Sequence, residues 1–402
     1  MARNLAPAMS IRIPLRIRIR IFLFVACVRI AKLPALLLLR HNRQITNNGQ
    51  LDYPASANTL HGSVARGVAE VKHVPGNLSM GRKYKRLIDD ITDIDNVRDA
   101  YYKTRKGKRK SFGYLEFREY AELNIANLAE EMASGVYVRG EYRNFYIYEP
   151  KQRLISALPF RDRVAQHAIN NVIEPIFERT FLPYTFACRP GKGTHAGVKH
   201  VQSETRKTGR SYALKADIRA YFPSIDRPTL HRRIERKIHC KQTRGLIRAS
   251  IPAEGVGMAI GSLLSQLFAN VYGSMLDDFI HHTIKPVAWA RYMDDFVIFG
   301  DDPSQLREHK HRIEDFLREQ MRMQYSKWSV SPVSRGINFL GYRIWPTHKL
   351  LRKQSVRDAK RKIVHYRKNG QEEKLRAFLG AWLGHAMWAD SYNLKQALEV
   401  QK

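Results

Sequence analysis

The chain has 402 residues, enough for two or three compact units with a substantial core. Its 44% hydrophobic content excludes wholesale disorder. Its three cysteines, without a C-x-x-C spacing, exclude a disulfide framework and a zinc ribbon and fit a reducing, cytoplasmic location. The 69 lysines and arginines against 37 aspartates and glutamates give a formal net charge of +32. This excess favours nucleic acid as a partner, with an anionic membrane or a structural RNA as alternatives.

The beginning of the chain differs from the rest. Residues 11–40 alternate isoleucine with arginine and then become apolar, but the longest uninterrupted apolar run, residues 21–28, is too short to span a bilayer. Residues 44–80 are polar and without periodicity, and MGRKYKRL at Met80 has the composition of an ordinary protein start. We therefore expect residues 1–79 to be an extension that is disordered or not translated, and we expect no membrane partner.

Two later segments combine strand-like runs with aspartates. YALKADIRAYFPSID (212–226) predicts a strand that ends near Asp217 and is followed by a turn. In AWARYMDDFVIF (288–299), apolar runs flank Asp294 and Asp295, which predicts a β-hairpin with the two acids at its tight turn. An ionised carboxylate in such a sheet needs a partner, which could be an arginine, a shared proton or a metal ion.

These aspartates contrast with the other aspartate doublets of the chain. Most of those are expected to be solvated or to cap helices: Asp89–Asp90, Asp277–Asp278 and Asp301–Asp302. If Asp217 meets the hairpin acids in space, the three carboxylates form an all-oxygen ligand set that suits Mg²⁺. Two such ions would stabilise the attacking and leaving oxygens of a phosphoryl transfer, and Mn²⁺ could substitute. The alternative is a plain strand followed by a turn.

YMDD in an apolar hairpin, preceded by the D-x-x-x-x-F of DIRAYF, resembles the palm of reverse transcriptases. Four further blocks, in the family's order, resemble its fingers motif, the block before the first catalytic strand, the helix that supports the nucleotide, and the primer grip: RLISALPFRDRVAQHAI (153–169), RPGKGTHAGV (189–198), GSLLSQLFAN (261–270) and INFLGYRI (337–344). The resemblance implies a right-hand polymerase fold of the α+β class, with an antiparallel palm sheet backed by helices. We expect fingers and palm over residues 80–345 and a small helical thumb over residues 346–402.

The block IGSLLSQ (260–266) narrows the resemblance. Many reverse transcriptases have Gln-Gly at its start and Ser-Pro at its end, whereas this chain has Ile-Gly and Ser-Gln. The block is similar to that of the compact, phage-borne reverse transcriptases of diversity-generating retroelements. Such enzymes copy a template-repeat RNA into adenine-mutagenised cDNA that replaces a variable region of a target gene, a process called mutagenic retrohoming. The resemblance also implies a small, basic, helical accessory protein that forms a pentamer, in a bacterial or phage-infected cytoplasm.

The resemblance implies roles for individual residues. The predicted catalytic and metal-binding residues are Asp217, Asp294 and Asp295. The predicted dNTP-binding residues are Lys151, Arg153, Phe222, Ile260 and Gln266, with Lys151 and Arg153 on the triphosphate and Phe222 as the ring that excludes a 2′-hydroxyl. The predicted template and primer contacts are Arg163, Arg189, Lys192, Gly341, Lys360 and Arg361. Ile260, in place of glutamine, is expected to loosen checking of the base pair opposite template adenine.

The last part of the chain is predicted to form basic helices. SVRDAKRKIVHYRKN begins with a predicted capping box of Ser355 and Asp358, and Gly370 ends the helix. A second helix is expected over residues 371–388 and a third from about Asp390. Cationic helices after a primer grip are expected to hold the primer–template duplex by its phosphates, without sequence choice.

Two other functions remain open from the sequence. One is a retron-like or defence-associated reverse transcriptase, and the other is a non-catalytic RNA-binding protein on a polymerase-derived fold. The intact set of Asp217, Asp294 and Asp295 counts against the second. We find no Cys/His endonuclease cluster or RNase H acid set after the predicted thumb, and we therefore do not expect a full group II intron protein.

Overall fold

The computed structural model describes residues 84–148 and 152–398. The predicted extension, residues 1–79, and the predicted phosphate ligand Lys151 lie outside the described residues. No helix within the described ranges is sufficiently long and apolar to serve as a membrane span.

The described residues form helices and short antiparallel strands. The helices are α1 (Ile88–Thr92), α2 (Ile94–Thr104), α3 (Phe112–Glu119), α4 (Ala121–Ser134), α5 (Phe160–Glu178), α6 (Thr194–Glu204), α7 (Tyr221–Ser224), α8 (Arg227–Glu235), α9 (Lys241–Ser250), α10 (Leu263–Phe279), α11 (Pro303–Met321), α12 (Lys353–Lys368), α13 (Glu372–Ala386) and α14 (Tyr392–Ala397). The strands are β1 (Arg143–Ile147), β2 (Arg153–Ala157), β3 (Tyr212–Ile218), β4 (Ala288–Tyr292), β5 (Asp295–Gly300), β6 (Tyr325–Pro332), β7 (Ile337–Phe339), β8 (Tyr342–Ile344) and β9 (Lys349–Leu351).

The central sheet has the strand order β4-β5-β3-β6, and each neighbouring pair is antiparallel. Four of the six residues of β5, a middle strand, are β-branched or aromatic, and five of the six are buried. Helix α11 packs against β3, β5 and β6, so one side of the sheet is covered. The antiparallel sheet with its helical layer confirms the predicted α+β class, with an antiparallel sheet backed by helices.

The N-terminal helices pack on α5 through aromatic side chains. The ring of Tyr101 lies 5.7 Å from that of Phe117 and 6.1 Å from that of Phe160, measured between centroids. The Asn96 side-chain amide donates a hydrogen bond across the interface to the backbone carbonyl of Ala168, at 3.1 Å. These contacts fix α2 and α3 against the helix that follows the β1–β2 hairpin.

The C-terminal helices begin where the β7-β8-β9 sheet ends. The predicted capping box is wrong, because α12 begins at Lys353 and its N-cap residue is Arg352, so Ser355 lies inside the first turn. The carboxylate of Asp358 instead accepts hydrogen bonds from Gln354 and Arg361. Helices α13 and α14 lie within two residues of the positions expected from the sequence.

Candidate active site

The three predicted catalytic aspartates lie where β3 meets the β4–β5 hairpin. Asp217 in β3 is directly opposite Asp295, the first residue of β5. Directly opposed residues of antiparallel strands point to the same face of the sheet, so these two carboxylates are neighbours. Asp294 occupies the turn, and its carbonyl oxygen accepts a hydrogen bond of 2.9 Å from the Ile218 amide. All three aspartates are half-buried.

The hairpin turn has an unusual backbone. Met293 and Asp294 are its two central residues, and Met293 has φ of 56°, in the left-handed region that favours glycine. A positive φ at only the first central residue is typical of a type II′ turn, whose twist matches that of the flanking strands. The sequence predicted a tight turn here but not the strain at Met293.

Sequence reasoning missed the cation beside these carboxylates. Lys215 lies two residues before Asp217 in β3, on the same face of the sheet, and its ammonium forms an ion pair with the carboxylate of Asp295. The period-two alternation of YALKADI could have identified Lys215, since residues i and i+2 of a strand share a face. The carboxylate of Asp295 therefore has a lysine as a partner, which is not among the three partners expected from the sequence, an arginine, a shared proton or a metal ion.

A second missed feature is a buried ion pair behind the turn. The Arg291 guanidinium donates hydrogen bonds to both carboxylate oxygens of Asp277, at 2.6 and 2.7 Å, and both side chains are about 1% exposed. Burial raises the pKa of Asp277. Burial alone would lower the pKa of Arg291, but the carboxylate of Asp277 holds it above its ordinary value. Asp277 is thus neither solvated nor a helix cap, unlike the expectation for most of the doublets.

The adjacent carboxylates of Asp217 and Asp295 are a donor pair that fits Mg²⁺. In proteins this ion is usually held by one or two carboxylates, several waters and the substrate phosphates. Asp217 and Asp295 provide two adjacent carboxylates at a half-buried position beside the turn that carries Asp294. Within residues 84–148 and 152–398, no group of three or more His, Cys, Asp or Glu side chains is close enough to hold a metal ion. The metal-binding role of these aspartates stays a prediction.

The predicted nucleotide-binding residues are joined by one connecting segment. The carbonyl of Phe222, in α7, accepts a hydrogen bond of 2.8 Å from the Met258 amide. Two residues later, the carbonyl of Ile260 accepts one of 3.0 Å from Ser156 in β2. The strand β2 begins at Arg153, so the segment links the predicted sugar ring contact to the predicted triphosphate ligand.

A glycine allows this close approach. Gly261 has φ of +118°, and a Cβ there would lie 3.2 Å from the carbonyl oxygen of Ser156. The backbone after Gly261 enters α10, whose N-cap Ser262 donates a hydrogen bond to the side-chain oxygen of Gln166 at 2.9 Å. Gln266, half-buried, follows in the first turns of this helix. The Ile-Gly pair therefore fixes the approach of the β1–β2 hairpin to α10.

The predicted template contacts in the middle of the chain have internal partners. Arg189 is 6% exposed and pairs with Glu178 at 2.8 Å, which gives it a structural role rather than the template contact predicted for it. The Lys192 ammonium donates to the Pro183 carbonyl at 3.0 Å, and burial lowers its pKa. Arg163 is half-buried and donates to the Leu158 carbonyl at 2.8 Å, and burial lowers its pKa as well.

The remaining predicted contacts lie in the C-terminal part of the chain. Gly341 and Leu340 form the two-residue turn between β7 and β8, and both have positive φ, as a type I′ turn requires. Lys360 and Arg361 are exposed on α12. Their exposure is compatible with a phosphate contact, which stays a prediction.

Comparison with known proteins identifies the region that contains the three aspartates. Residues 148–344 match the family model of reverse transcriptase (RNA-dependent DNA polymerase). Protein YkfC of Escherichia coli K12 is 25% identical over 290 residues, which cover 60% of this chain and 74% of YkfC. The group II intron-encoded protein LtrA of Lactococcus lactis is 27% identical over 174 residues, which cover 40% of this chain and 29% of LtrA. The solved structure of Candida albicans telomerase with a fragment of telomeric RNA is 12% identical, with a TM-score of 0.40 over 55% of this chain and 50% of that chain.

Proposed function

Since residues 148–344 form a reverse transcriptase domain and the chain is an RNA-directed DNA polymerase, we propose that it copies a template-repeat RNA into cDNA with errors at template adenines. The cDNA would replace a variable region of a target gene, which makes the reaction the first step of mutagenic retrohoming. The observation that carries this proposal is the IGSLLSQ block and the position of its Ile260 between Phe222 and β2.

In the reaction, the primer 3′-hydroxyl attacks the α-phosphorus of a dNTP, the bond to the β-phosphate breaks, and pyrophosphate leaves. Bound Mg²⁺ would stabilise the attacking and leaving oxygens. Asp217 and Asp295 would hold the ions from adjacent strands, and Asp294 would do so from the turn. Their half-buried positions limit competition from bulk water, because electrostatic interactions strengthen where the effective dielectric constant is lower.

The nucleotide would lie between α7 and the β1–β2 hairpin. Arg153 and Lys151 would bind the triphosphate, since a guanidinium can donate two parallel hydrogen bonds to phosphate oxygens. The ring of Phe222 would lie beneath the sugar and exclude a 2′-hydroxyl. The hydrogen bonds that run from Phe222 through Met258 and Ile260 to β2 support this arrangement.

Ile260 would set the accuracy of copying. Its carbonyl is held by Ser156, so its backbone position is fixed, and its side chain has no polar atom to contact a base pair. A glutamine at this position could donate or accept a hydrogen bond. Loss of one such bond is worth about 1 kcal/mol, which is enough to alter discrimination between paired and mispaired bases.

The excess of positive charge supports nucleic acid as the main partner. The formal net charge of +32 would serve the template RNA, the primer and the growing cDNA, with Lys360 and Arg361 of α12 on the duplex phosphates. The proposed protein partner is a small, basic, helical accessory protein that forms a pentamer, and the proposed location is the cytoplasm.

The experiment that tests this function is sequencing of cDNA made by the purified protein with its accessory protein and cognate repeat RNA. Parallel reactions use D294A and omit Mg²⁺. We expect metal-dependent cDNA with errors concentrated at template adenines, and no cDNA in either parallel reaction. Accurate cDNA would overturn the mutagenic role and favour a retron-like or defence-associated enzyme.

A further inference from the structure

The strained backbone at Met293 requires surrounding contacts that stabilise it. A residue other than glycine persists in the left-handed region only where the surrounding structure over-determines it. Here the turn carries Asp294, whose carbonyl is bonded to Ile218, so its position sets how β3 and β5 meet. The other side of the turn is bonded to Arg291.

The guanidinium nitrogen of Arg291 that is not paired with Asp277 contacts the turn. Its Nε and Nη2 donate to Asp277, and its Nη1 donates to the carbonyl oxygen of Met293 at 3.0 Å. A guanidinium is planar and rigid, so fixing two donors on Asp277 also fixes the direction of the third. Helix α10, which carries Asp277, thereby determines where the Met293 carbonyl lies.

Stability alone does not explain this pair. Replacing a buried ion pair by apolar residues of similar volume is often neutral or stabilising, because desolvation opposes the Coulombic attraction. An apolar replacement would, however, leave the Met293 carbonyl without its donor. Arg291 provides a directed hydrogen bond to the turn, which an apolar side chain cannot provide.

The surface of α10 is shaped to admit the guanidinium. A Cβ at Gly273 would lie 2.6 Å from Nη1 of Arg291 and 2.6 Å from the hydroxyl oxygen of Tyr221. Tyr221 in turn donates to the Ala269 carbonyl at 2.8 Å and immediately precedes Phe222. The same stretch of α10 therefore supports both the catalytic turn and the residue next to the predicted sugar contact.

We propose that Arg291 is a positioning residue that, held by Asp277 and admitted by Gly273, fixes the Met293–Asp294 turn for metal-dependent nucleotide addition. The inference rests on the catalytic role proposed for Asp294. It assigns Arg291 no contact with substrate, and it is independent of copying accuracy.

The main test is R291K, which can keep the ion pair with Asp277 but cannot also direct a rigid donor to Met293. We expect kcat to fall about 10- to 100-fold, the range typical for loss of a residue that orients a metal ligand, with the KM for dNTP changed much less. The matched control is R210K, because Arg210 also pairs with a buried carboxylate, Glu204, and donates to a backbone carbonyl away from the turn. We expect R210K to keep the wild-type kcat.

A second readout does not depend on turnover. On a dideoxy-terminated primer–template, dNTP binding is measured against Mg²⁺ concentration. We expect R291K, but not R210K, to require about tenfold more Mg²⁺, which again is the usual range for such a residue. A purely structural role would lower the folded fraction without moving this midpoint.

Two further variants keep the proposal falsifiable. G273A displaces the guanidinium without removing its charge and should reproduce the kcat loss even if R291K does not fold. Because glycine adopts positive φ without strain, R291K should cost less activity in an M293G background than in the wild type. Wild-type kcat and Mg²⁺ dependence in folded R291K, or in folded G273A, would overturn the positioning role. Retained activity in D294A would instead overturn the proposed site.

Discussion

The charges behind the catalytic hairpin and those on helix α12 are organised in opposite ways. Arg291 and Asp277 are about 1% exposed, and each of the three guanidinium nitrogens donates to a defined acceptor. Lys360 and Arg361 are exposed on α12, and the Arg361 side chain is 73% exposed. Buried charges act through their geometry, whereas exposed charges act through their number and are screened by salt. Substitutions in the first group should alter chemistry, and substitutions in the second should alter affinity.

The largest effect should come from the half-buried aspartates of the central sheet. Replacing Asp217 or Asp294 by alanine removes a predicted metal ligand, and metal ions contribute several kcal/mol to transition-state stabilisation. We expect each variant to lose about 10³-fold or more in nucleotide addition, measured in single turnover. D89A, at an exposed aspartate of α1, is the control and should keep its activity. Substantial activity in D294A would remove the central sheet from the mechanism.

The second prediction concerns Phe222. Its neighbour Tyr221 and the buried Arg291 both lie beside Gly273 of α10. F222A should open space beneath the sugar and raise the relative kcat/KM for rNTP over dNTP by up to about 100-fold, the range for a steric contact in a pocket. F279A is the control, because the Phe279 ring stacks on Phe316, 4.2 Å away, in another part of the protein. Equal sugar selectivity in F222A and the wild type would show that another residue excludes ribose.

On helix α12, we expect an effect on affinity alone. Replacing Lys360 and Arg361 by glutamine should weaken primer–template binding about equally for all sequences. The slope of log affinity against log salt should fall by about 1 for each charge removed. The control is K241Q, at an exposed lysine of α9. A changed kcat with an unchanged salt slope would contradict the view that these exposed charges act through their number and buried charges through their geometry.

A smaller effect is expected at Lys215, whose exposure lies between that of the buried Arg291–Asp277 pair and that of the charges on α12. Its side chain is 18% exposed, and it pairs with the carboxylate of Asp295. A bound cation must compete with this pair, whose strength is about 1 kcal/mol. K215Q should therefore lower the Mg²⁺ concentration for half-maximal activity by about fivefold and lower the melting temperature in the absence of Mg²⁺. A higher Mg²⁺ requirement would mean that Lys215 assists the site instead.

The sequence predicted what depends on local pattern. The strand before Asp217, the hairpin around Asp294 and the second and third C-terminal helices follow from periodicity and turn residues, and the structure has them all. Where a long-range contact determines the partner or the burial of a residue, the prediction was incomplete or wrong. Arg291 meets Asp277 only because α10 packs behind the hairpin, and Arg189 is buried because its loop folds back on Glu178 of α5.

The helix boundary at α12 illustrates a different cause. Ser355 and Asp358 have the spacing of a capping box, but β9 ends at Leu351 and the helix begins two residues later. The end of the strand thus determines where the helix starts, and the local signal is overridden. Gly261 shows the converse case, because its positive φ was foreseeable for a glycine, although its contact with Ser156 was not.

An effect no larger than that at Lys215 is expected at Ile260, whose backbone is held by Ser156 while its side chain is half-buried. I260Q restores a polar group at a fixed position, so one hydrogen bond of about 1 kcal/mol should lower the error frequency at template adenine about fivefold. Errors at the other template bases should change less, and I260V, which adds no polar atom, is the control. Sequencing of cDNA from the three enzymes measures both quantities. If I260Q and I260V have the same adenine error frequency, the apolar residue does not set fidelity, and the mutagenic role must then depend on other contacts of the nascent pair.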